Sequence, residues 1–119
     1  MQKKIHIGDS ELPIMRVLWE KGPCTSPEIF EGMDKNISTL KTLLKRLVDK
    51  GAVDAEEINS RNYRYSAKLT EEEYIRNARK SFLQTVFGGS REKLLLNFVK
   101  EEHVTREELE RLMEKIDQD

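Results

Sequence analysis

One short stretch of the chain carries polar side chains whose types and spacing could bind an anion. In STLKTLLKRLVDKG, residues 38–51, hydroxyl and amine groups recur at helical spacing: Ser38, Lys41, Thr42 and Lys45. No acidic residue occurs from Ser38 to Val48, whereas a face that meets only water is expected to mix both signs of charge. Lysine ammonium groups donate to anionic oxygens, and short hydroxyls donate or accept at close range. The pattern favours a contact surface.

The opposite face of the same stretch is apolar. Leucine and valine occur at i, i+3, i+4, i+7 and i+8: Leu40, Leu43, Leu44, Leu47 and Val48. This pattern predicts a helix that packs on a core and ends at Gly51, where a left-handed residue would fit. Asp49 is expected to lie too far along the helix to disturb the polar face.

Two helices are predicted before this one. The first is expected from about Ser10 to Lys21, with Asp9 or Ser10 as its N-cap. The second is short and is expected to start at Ser26-Pro27, because a serine followed by proline is typical of a helix N-terminus. Three helices of these lengths, the second very short, predict a helix-turn-helix.

Residues 52–67 change to strand periodicity. Tyr63 and Tyr65 alternate with Arg64, and the polar segment NSRN lies between two strand-like runs. A hairpin after a helix-turn-helix is the outline of a winged helix. Arg61 at the tip and Arg64 on the strand could contact phosphate or a minor groove, although the first strand is acidic.

The remaining chain is predicted to be helical. Thr70-x-x-Glu73 and Thr105-x-x-Glu108 read as capping boxes, and Gly88-Gly89 separates two helices. These three helices carry more apolar surface than they can cover by themselves, so this half either folds back on the winged helix or forms a homodimer. The homodimer is favoured, and an unusually apolar but fully internal helix stays open. The expected dimerisation residues are Phe82, Leu83, Leu94, Leu95, Phe98, Val99, Leu109, Leu112, Met113 and Ile116. The predicted fold is mainly α with a small β-hairpin: a winged-helix domain over 1–69 and a helical dimerisation domain over 70–119.

Composition argues against an enzyme. The 119 residues have a formal net charge of −1, so no global basic field is present. His6 and His103 show no spacing typical of metal ligands or a catalytic triad, and Cys24 is the only cysteine. We therefore expect no cofactor, no metal site and no disulfide. No apolar run is long enough to span a bilayer, so a cytoplasmic protein without membrane insertion is expected.

The position of the polar-faced helix gives its surface a function. The last helix of a helix-turn-helix lays its N-terminal half in the major groove of DNA. Ser38, Lys41, Thr42 and Lys45 lie on the exposed side of that half, with Arg46 at its edge, and could reach phosphates and base edges. Two other functions stay open: a winged helix that binds protein rather than DNA, and a regulator released by a small-molecule ligand.

Several segments resemble those of the BlaI/MecI penicillinase-repressor family of winged-helix transcriptional regulators. They are SELPIMRVLWEKG, SPEIFEGM, STLKTLLKRLVDKGAV, SRNYRYSA and FLQTVFGGSREKLLLNFVKEE. The resemblance implies a homodimeric repressor that binds a palindromic operator. The major-groove contacts would fall on Ser38, Thr39, Lys41, Thr42 and Lys45, and the wing contact on Arg61. Many relatives have a glycine where this chain has Ser60.

The resemblance also implies a mode of induction. In some relatives, a membrane metalloprotease sensor that responds to a cell-wall antibiotic (a beta-lactam) causes cleavage of an Asn-Phe bond within the dimerisation domain. Asn97-Phe98 occupies that place here. The copper-responsive branch of the family ends in a cysteine-rich motif, which this sequence lacks, so copper sensing is not expected.

Overall fold

The computed structural model describes residues 5–118, with side chains described as far as Lys115. The predicted fold class is confirmed: the described residues form six helices and one two-stranded β-hairpin. The elements are α1 (Leu12–Lys21), α2 (Ser26–Phe30), α3 (Ile37–Asp49), β1 (Val53–Asn59), β2 (Asn62–Ala67), α4 (Glu71–Phe87), α5 (Arg91–Glu101) and α6 (Arg106–Gln118).

The first two helices begin differently from the sequence prediction. The N-cap of α1 is Glu11, not Asp9 or Ser10, and no side chain caps that helix. The N-cap of α2 is Thr25, not Ser26, because Thr25 and Glu28 form a capping box in which the Thr25 amide donates to Glu28 Oε1 at 3.0 Å. Pro27 remains in the first turn of α2, where its missing N–H costs nothing.

The core lies among α1, α2, α3 and the base of the hairpin. The leucines of α3 are almost fully buried, as their period predicts, and pack with Ile14, Met15 and Ile29. Side chains of this size each contribute about 1.5–3 kcal/mol when they leave water. The polar face of α3 is therefore held outward by a buried apolar face.

The hairpin is antiparallel, with Val53 opposite Ala67 and Glu57 opposite Tyr63. The register shifts between Glu57 and Asn59, and the loop that joins the strands is Ser60-Arg61. The hairpin is attached to the loop before α2, since the Cys24 and Tyr65 backbones exchange hydrogen bonds of 3.0 and 2.8 Å.

The chain packs as two compact units, one reaching Ile75 and one beginning at Arg76. In the second unit, Ser90 caps α5 by accepting from the Lys93 amide at 3.2 Å, and Thr105 accepts from the Glu108 amide at 3.1 Å at the start of α6. None of residues 76–115 is fully buried. Within the described residues, no helix combines the length and apolarity that crossing a membrane requires.

Candidate nucleic-acid interface

The polar face of α3 is exposed along its whole length. All six residues that were predicted to contact DNA from this helix are exposed: Ser38, Thr39, Lys41, Thr42, Lys45 and Arg46. They are not equivalent in position. By the helical period, Ser38, Thr42 and Lys45 lie along the centre of the face, while Thr39 and Arg46 lie on one edge.

The hydroxyl groups of Ser38 and Thr42 both donate hydrogen bonds within the protein. Ser38 Oγ donates to Asn36 Oδ1 at 2.7 Å, and Thr42 Oγ1 donates to the Ser38 carbonyl at 3.0 Å. Asn36 Oδ1 also accepts from the Ser38 amide at 2.8 Å, so it caps α3. Each hydroxyl oxygen therefore presents lone pairs to the outside, which suits a base that offers an amino group, cytosine N4 or adenine N6.

The expectation that Asp49 would leave the polar face undisturbed is wrong. Lys45 Nζ and Asp49 Oδ2 form an ion pair at 3.2 Å, because residues four apart lie on the same side of a helix. Both side chains are more than half exposed, at 77% and 63%. Such pairs contribute about 0.3–0.5 kcal/mol, so an approaching phosphate can displace the carboxylate.

A groove of about 470 Å³ separates α3 from the hairpin. Lys41 and Lys45 border it on the α3 side, and its walls include Val48, Ala55 and Tyr63. Tyr63 is 42% exposed and was not predicted as a site residue, although its alternation with Tyr65 places both rings on one face of the strand. An aromatic ring beside two lysines can pack on a sugar or a base edge while the ammonium groups meet phosphates.

Arg61 at the wing tip has a backbone conformation that side chains rarely adopt. Its φ is +76°, in the left-handed region, which costs a residue with a Cβ about 1–2 kcal/mol. Arg61 is one of the two residues, Ser60-Arg61, that form the tight loop between β1 and β2. A strained arginine at an exposed tip is a reason to infer function for its side chain.

The second predicted wing residue lies in a less favourable place. Arg64 pairs across the hairpin with Glu56, and its charge also contributes to lowering the pKa of Glu28, after the larger effect of hydrogen bonds from Thr25. Glu57 lies on the opposite face of the hairpin from Glu56, on the same face as Tyr63. Arg64 is exposed, and two acidic residues lie near it: Glu56 on the facing strand and Glu28.

An ion pair at the end of α3 was not predicted from the sequence. Lys50 Nζ donates to Glu11 Oε1 at 2.7 Å and to the His6 carbonyl at 2.9 Å. Glu11 is 5% exposed, and its Oε1 also accepts from the Gly8 amide at 2.8 Å. Burial raises the pKa of Glu11, but hydrogen bonds from Lys50 and Gly8 and the charges of Lys50 and Arg46 outweigh it, so the pKa lies below its ordinary value. This contact joins the end of α3 to the start of α1.

The single thiol does not have the properties of a catalytic nucleophile. Cys24 is 3% exposed, and burial raises the pKa of its thiol, with a smaller contribution from the charge of Glu28. A buried thiol with a raised pKa is a poor nucleophile. Among the described residues, no three histidine, cysteine or acidic side chains are grouped to hold a metal ion.

The predicted dimerisation residues leave much apolar surface uncovered. Phe82, Leu95, Phe98, Leu112 and Met113 are 46–62% exposed. Leu83, Leu94, Val99 and Leu109 are half-buried, and the Ile116 side chain lies outside the described residues. Val86 and Leu96, which were not predicted, are also exposed, at 58% and 49%. Asn97 and Phe98 lie inside α5, and both are exposed.

A helix-turn-helix followed by a hairpin, with an exposed cationic face on the third helix, defines the class of winged-helix DNA-binding proteins. The sequence profile of the penicillinase repressor family matches residues 7–118. The chain belongs to this family, as its motifs predicted. The family consists of transcriptional repressors and not of enzymes.

Individual relatives agree with this assignment. The penicillinase repressor of Bacillus licheniformis is 29% identical over 94% of this chain and 90% of its own length. The methicillin resistance regulatory protein MecI of Mammaliicoccus sciuri is 29% identical over 92% of each chain. The solution structure of the DNA-binding domain of the repressor BlaI is 28% identical, with a TM-score of 0.54 over 62% of this chain and 94% of that domain.

Proposed function

We propose that this chain represses transcription by binding a palindromic operator in double-stranded DNA as a homodimer. The observation that carries the proposal is the exposed face of α3, where Lys41 and Lys45 flank two hydroxyls and the leucines behind them are buried. In this arrangement the lysines anchor phosphates, while Ser38 and Thr42 lie nearer the bases. Arg61 adds a contact from the wing.

The apolar surface of the second unit supports the dimer. Large side chains such as Leu95, Leu112 and Met113 are more than half exposed, and exposed apolar surface that is contiguous marks an interaction site. A two-fold axis would bury the same surface of both copies. It would also present two α3 helices to half-sites about one helical turn apart, roughly 34–36 Å.

A gel shift on the promoter region of the chain's own gene tests the DNA function. Three phosphate anchors per subunit, Lys41, Lys45 and Arg61, give six in a dimer, so affinity should fall about a thousandfold between roughly 50 and 200 mM salt. Specific binding should exceed binding to unrelated duplexes by at least about 10³. Equal affinity for unrelated DNA would contradict an operator, and no binding would favour a protein-interaction module.

Sedimentation equilibrium tests the dimer. Leu95→Glu adds a charge at an exposed position of α5, so it should leave each chain folded but shift the protein to monomer. Lys100→Glu, on the same helix, adds the same side chain at an exposed polar position and serves as the control. A Leu95→Glu protein that stays dimeric would contradict this placement of the interface.

We further propose that induction by a beta-lactam signal leads to hydrolysis of the Asn97-Phe98 bond, in a pathway that involves a membrane metalloprotease sensor. Water adds across the peptide bond, which leaves a carboxylate on Asn97 and an amine on Phe98. The bond lies inside α5, among exposed apolar residues. Cleavage would divide that helix and remove the avidity of two linked half-sites.

Mass spectrometry of the protein from induced host cells tests the cleavage. The expected product is a fragment that ends at Asn97 and accumulates only after exposure to the antibiotic. Asn97→Asp keeps the size of the side chain but changes its charge, so it should slow formation of the fragment, while Lys100→Glu should not. Derepression without any such fragment would refute the proposal.

A further inference from the structure

Three residues attach the start of α4 to α1, and we call them the Trp19 joint: Trp19, Leu69 and Tyr74. The Trp19 indole N–H donates to the Leu69 carbonyl at 2.9 Å. The rings of Trp19 and Tyr74 pack with their centroids 5.3 Å apart and tilted by 39°. Trp19 therefore contacts both Leu69, shortly before α4, and Tyr74, in the first turn of α4.

The backbone around the joint is also fixed. The amides of Lys68 and Leu69 both donate to the Ala52 carbonyl, at 2.9 and 3.1 Å. A capping box then defines the first turn of α4, since the Glu73 amide donates to Thr70 Oγ1 at 3.1 Å and Thr70 Oγ1 donates to Glu73 Oε1 at 3.0 Å. The joint therefore lies on an anchored segment and not on a loose linker.

The joint is placed where the chain passes from one compact unit to the next. The division between the units falls between Ile75 and Arg76, inside α4. No glycine or proline interrupts this helix from Glu71 to Phe87, and sharp bends in helices occur at such residues. α4 therefore begins inside the winged-helix unit, with its first turn held by the capping box and by the contact of Tyr74 with Trp19.

Neither ring belongs to the fully buried cluster of the winged helix, although both pack against it. Trp19 and Tyr74 are only partly buried, and both lie against the outside of the fully buried cluster that includes Ile14, Leu18 and Leu47. Ordinary core packing therefore does not account for the indole hydrogen bond and the ring contact, both of which converge on the exit of α4.

We propose that the Trp19 joint is a positioning device that sets the spacing and angle between the two α3 helices of the dimer. This inference rests on the proposed homodimer. Two linked modules gain affinity only when both can reach their sites at once, so a stiff joint restricts binding to one half-site spacing. A dimer with a loosened joint would bind operators of several half-site spacings, while the sequence preference within each half-site would stay unchanged.

Selection from a pool of duplexes with a randomised centre tests the joint, because it reports half-site sequence and spacing together. The full-length wild-type protein should enrich inverted repeats of one spacing on the order of 100-fold over repeats two base pairs longer. Tyr74→Ala should enrich the same half-site but prefer that spacing by less than about tenfold. Glu72→Ala, an exposed position in the same turn, is the control and should select as wild type does.

The emission of Trp19 and a second variant, Trp19→Phe, show whether the joint was altered even when one variant does not fold. Trp19 is the only tryptophan, so its emission should shift to longer wavelength in Tyr74→Ala if the ring contact is lost. Trp19→Phe keeps a ring but removes the hydrogen bond to Leu69, and it should broaden the spacing in the same way if Tyr74→Ala fails to fold.

The outcomes separate the two proposals. A wild-type protein that enriches no inverted repeat would refute the homodimeric operator, and the positioning role with it. A wild type that selects one sharp spacing, together with joint variants that select it equally sharply, would refute the joint alone. Loss of half-site sequence preference in folded joint variants would also refute it, because the joint would then support the reading helix itself.

Discussion

The ion pair between Glu11 and Lys50 allows a prediction about stability that depends on which partner is removed. Lys50→Met keeps the aliphatic stem but deletes the ammonium group, which leaves a carboxylate whose side chain is 6% exposed. That carboxylate would keep only the Gly8 amide, and Glu11 Oε2 is already buried without a partner. Glu11→Gln instead leaves an ammonium group on a side chain that is 31% exposed and can turn to water.

The two substitutions should differ in how far they lower the free energy of unfolding, because Glu11 is more buried than Lys50. Breaking a buried ion pair by removing one partner costs about 3–5 kcal/mol. Since Lys50 is partly in contact with water, we expect Lys50→Met to lower the free energy of unfolding by the lower end of that range, about 3 kcal/mol. Glu11→Gln keeps a neutral acceptor for Gly8 and should cost only about 1 kcal/mol.

The pH dependence of stability should differ between wild type and Lys50→Met. In the wild type the pKa of Glu11 is lowered, so its contribution to stability is present above its unfolded pKa and is lost as pH falls through the folded value. In Lys50→Met both lowering effects of the lysine are lost, while burial still raises the pKa of Glu11 against the Gly8 amide and the charge of Arg46. This pKa should therefore be higher than in the wild type, and acid should cost the variant less stability. The stability difference between the two proteins should therefore shrink by half or more from about pH 7 to about pH 4.

Urea unfolding, followed by the emission of Trp19, measures both effects. All proteins must be compared at one protein concentration, because the proposed dimer would add to the apparent stability. A Lys50→Met variant no less stable than Glu11→Gln, or a difference between Lys50→Met and wild type that does not change with pH, would refute the reasoning.

Three further predictions concern the DNA surface. Lys45→Ala should weaken binding to specific and random duplexes by similar factors and lower the salt slope by about 2 per dimer, whereas Asp49→Asn should free Lys45 and strengthen binding to both kinds of duplex. Gel shifts over a salt series measure these effects, and an unchanged slope for Lys45→Ala would count against a phosphate contact. Arg61→Gly should raise the free energy of unfolding by about 1 kcal/mol and yet weaken DNA binding, while Arg61→Lys should keep most of the affinity. Thermal melts measure the stability and gel shifts measure the affinity, and unaltered binding by Arg61→Gly would exclude a wing contact. Thr42→Val removes the hydroxyl oxygen that can accept from a base, and it should cost about 1–3 kcal/mol of discrimination at one base pair without altering the salt slope. An equal loss of affinity for all sequences would show that Thr42 reads no base.

The features of α3 that depend on local periodicity could be predicted from the sequence. Four leucines at helical spacing have one way to be buried together, and burying them turns Lys41 and Lys45 outward. The pairing of Lys45 with Asp49 could also have been read from their i, i+4 spacing. The position of Asp49 near the end of the helix does not separate it from Lys45, because residues one turn apart lie on the same side.

Other contacts had no local signal. Glu11 and Lys50 are separated by 39 residues, and each looks in sequence like an ordinary surface charge. They meet because the fold brings the N-cap of α1 to the C-cap of α3. The positive φ of Arg61 depends on the length of the hairpin loop, which in turn depends on the register shift at the end of β1. Such features need the tertiary structure because their causes lie in distant parts of the chain.

The buried thiol gives access to the internal motions of the winged helix. Cys24 is the only cysteine, and its backbone is hydrogen-bonded to Tyr65 of the hairpin. A thiol reagent can reach it only when this region opens, and local openings of a native protein have their own free energies, below that of global unfolding. The rate of Cys24 modification at low denaturant thus measures how often the hairpin separates from the loop before α2, and a DNA duplex that holds the wing in place should slow it.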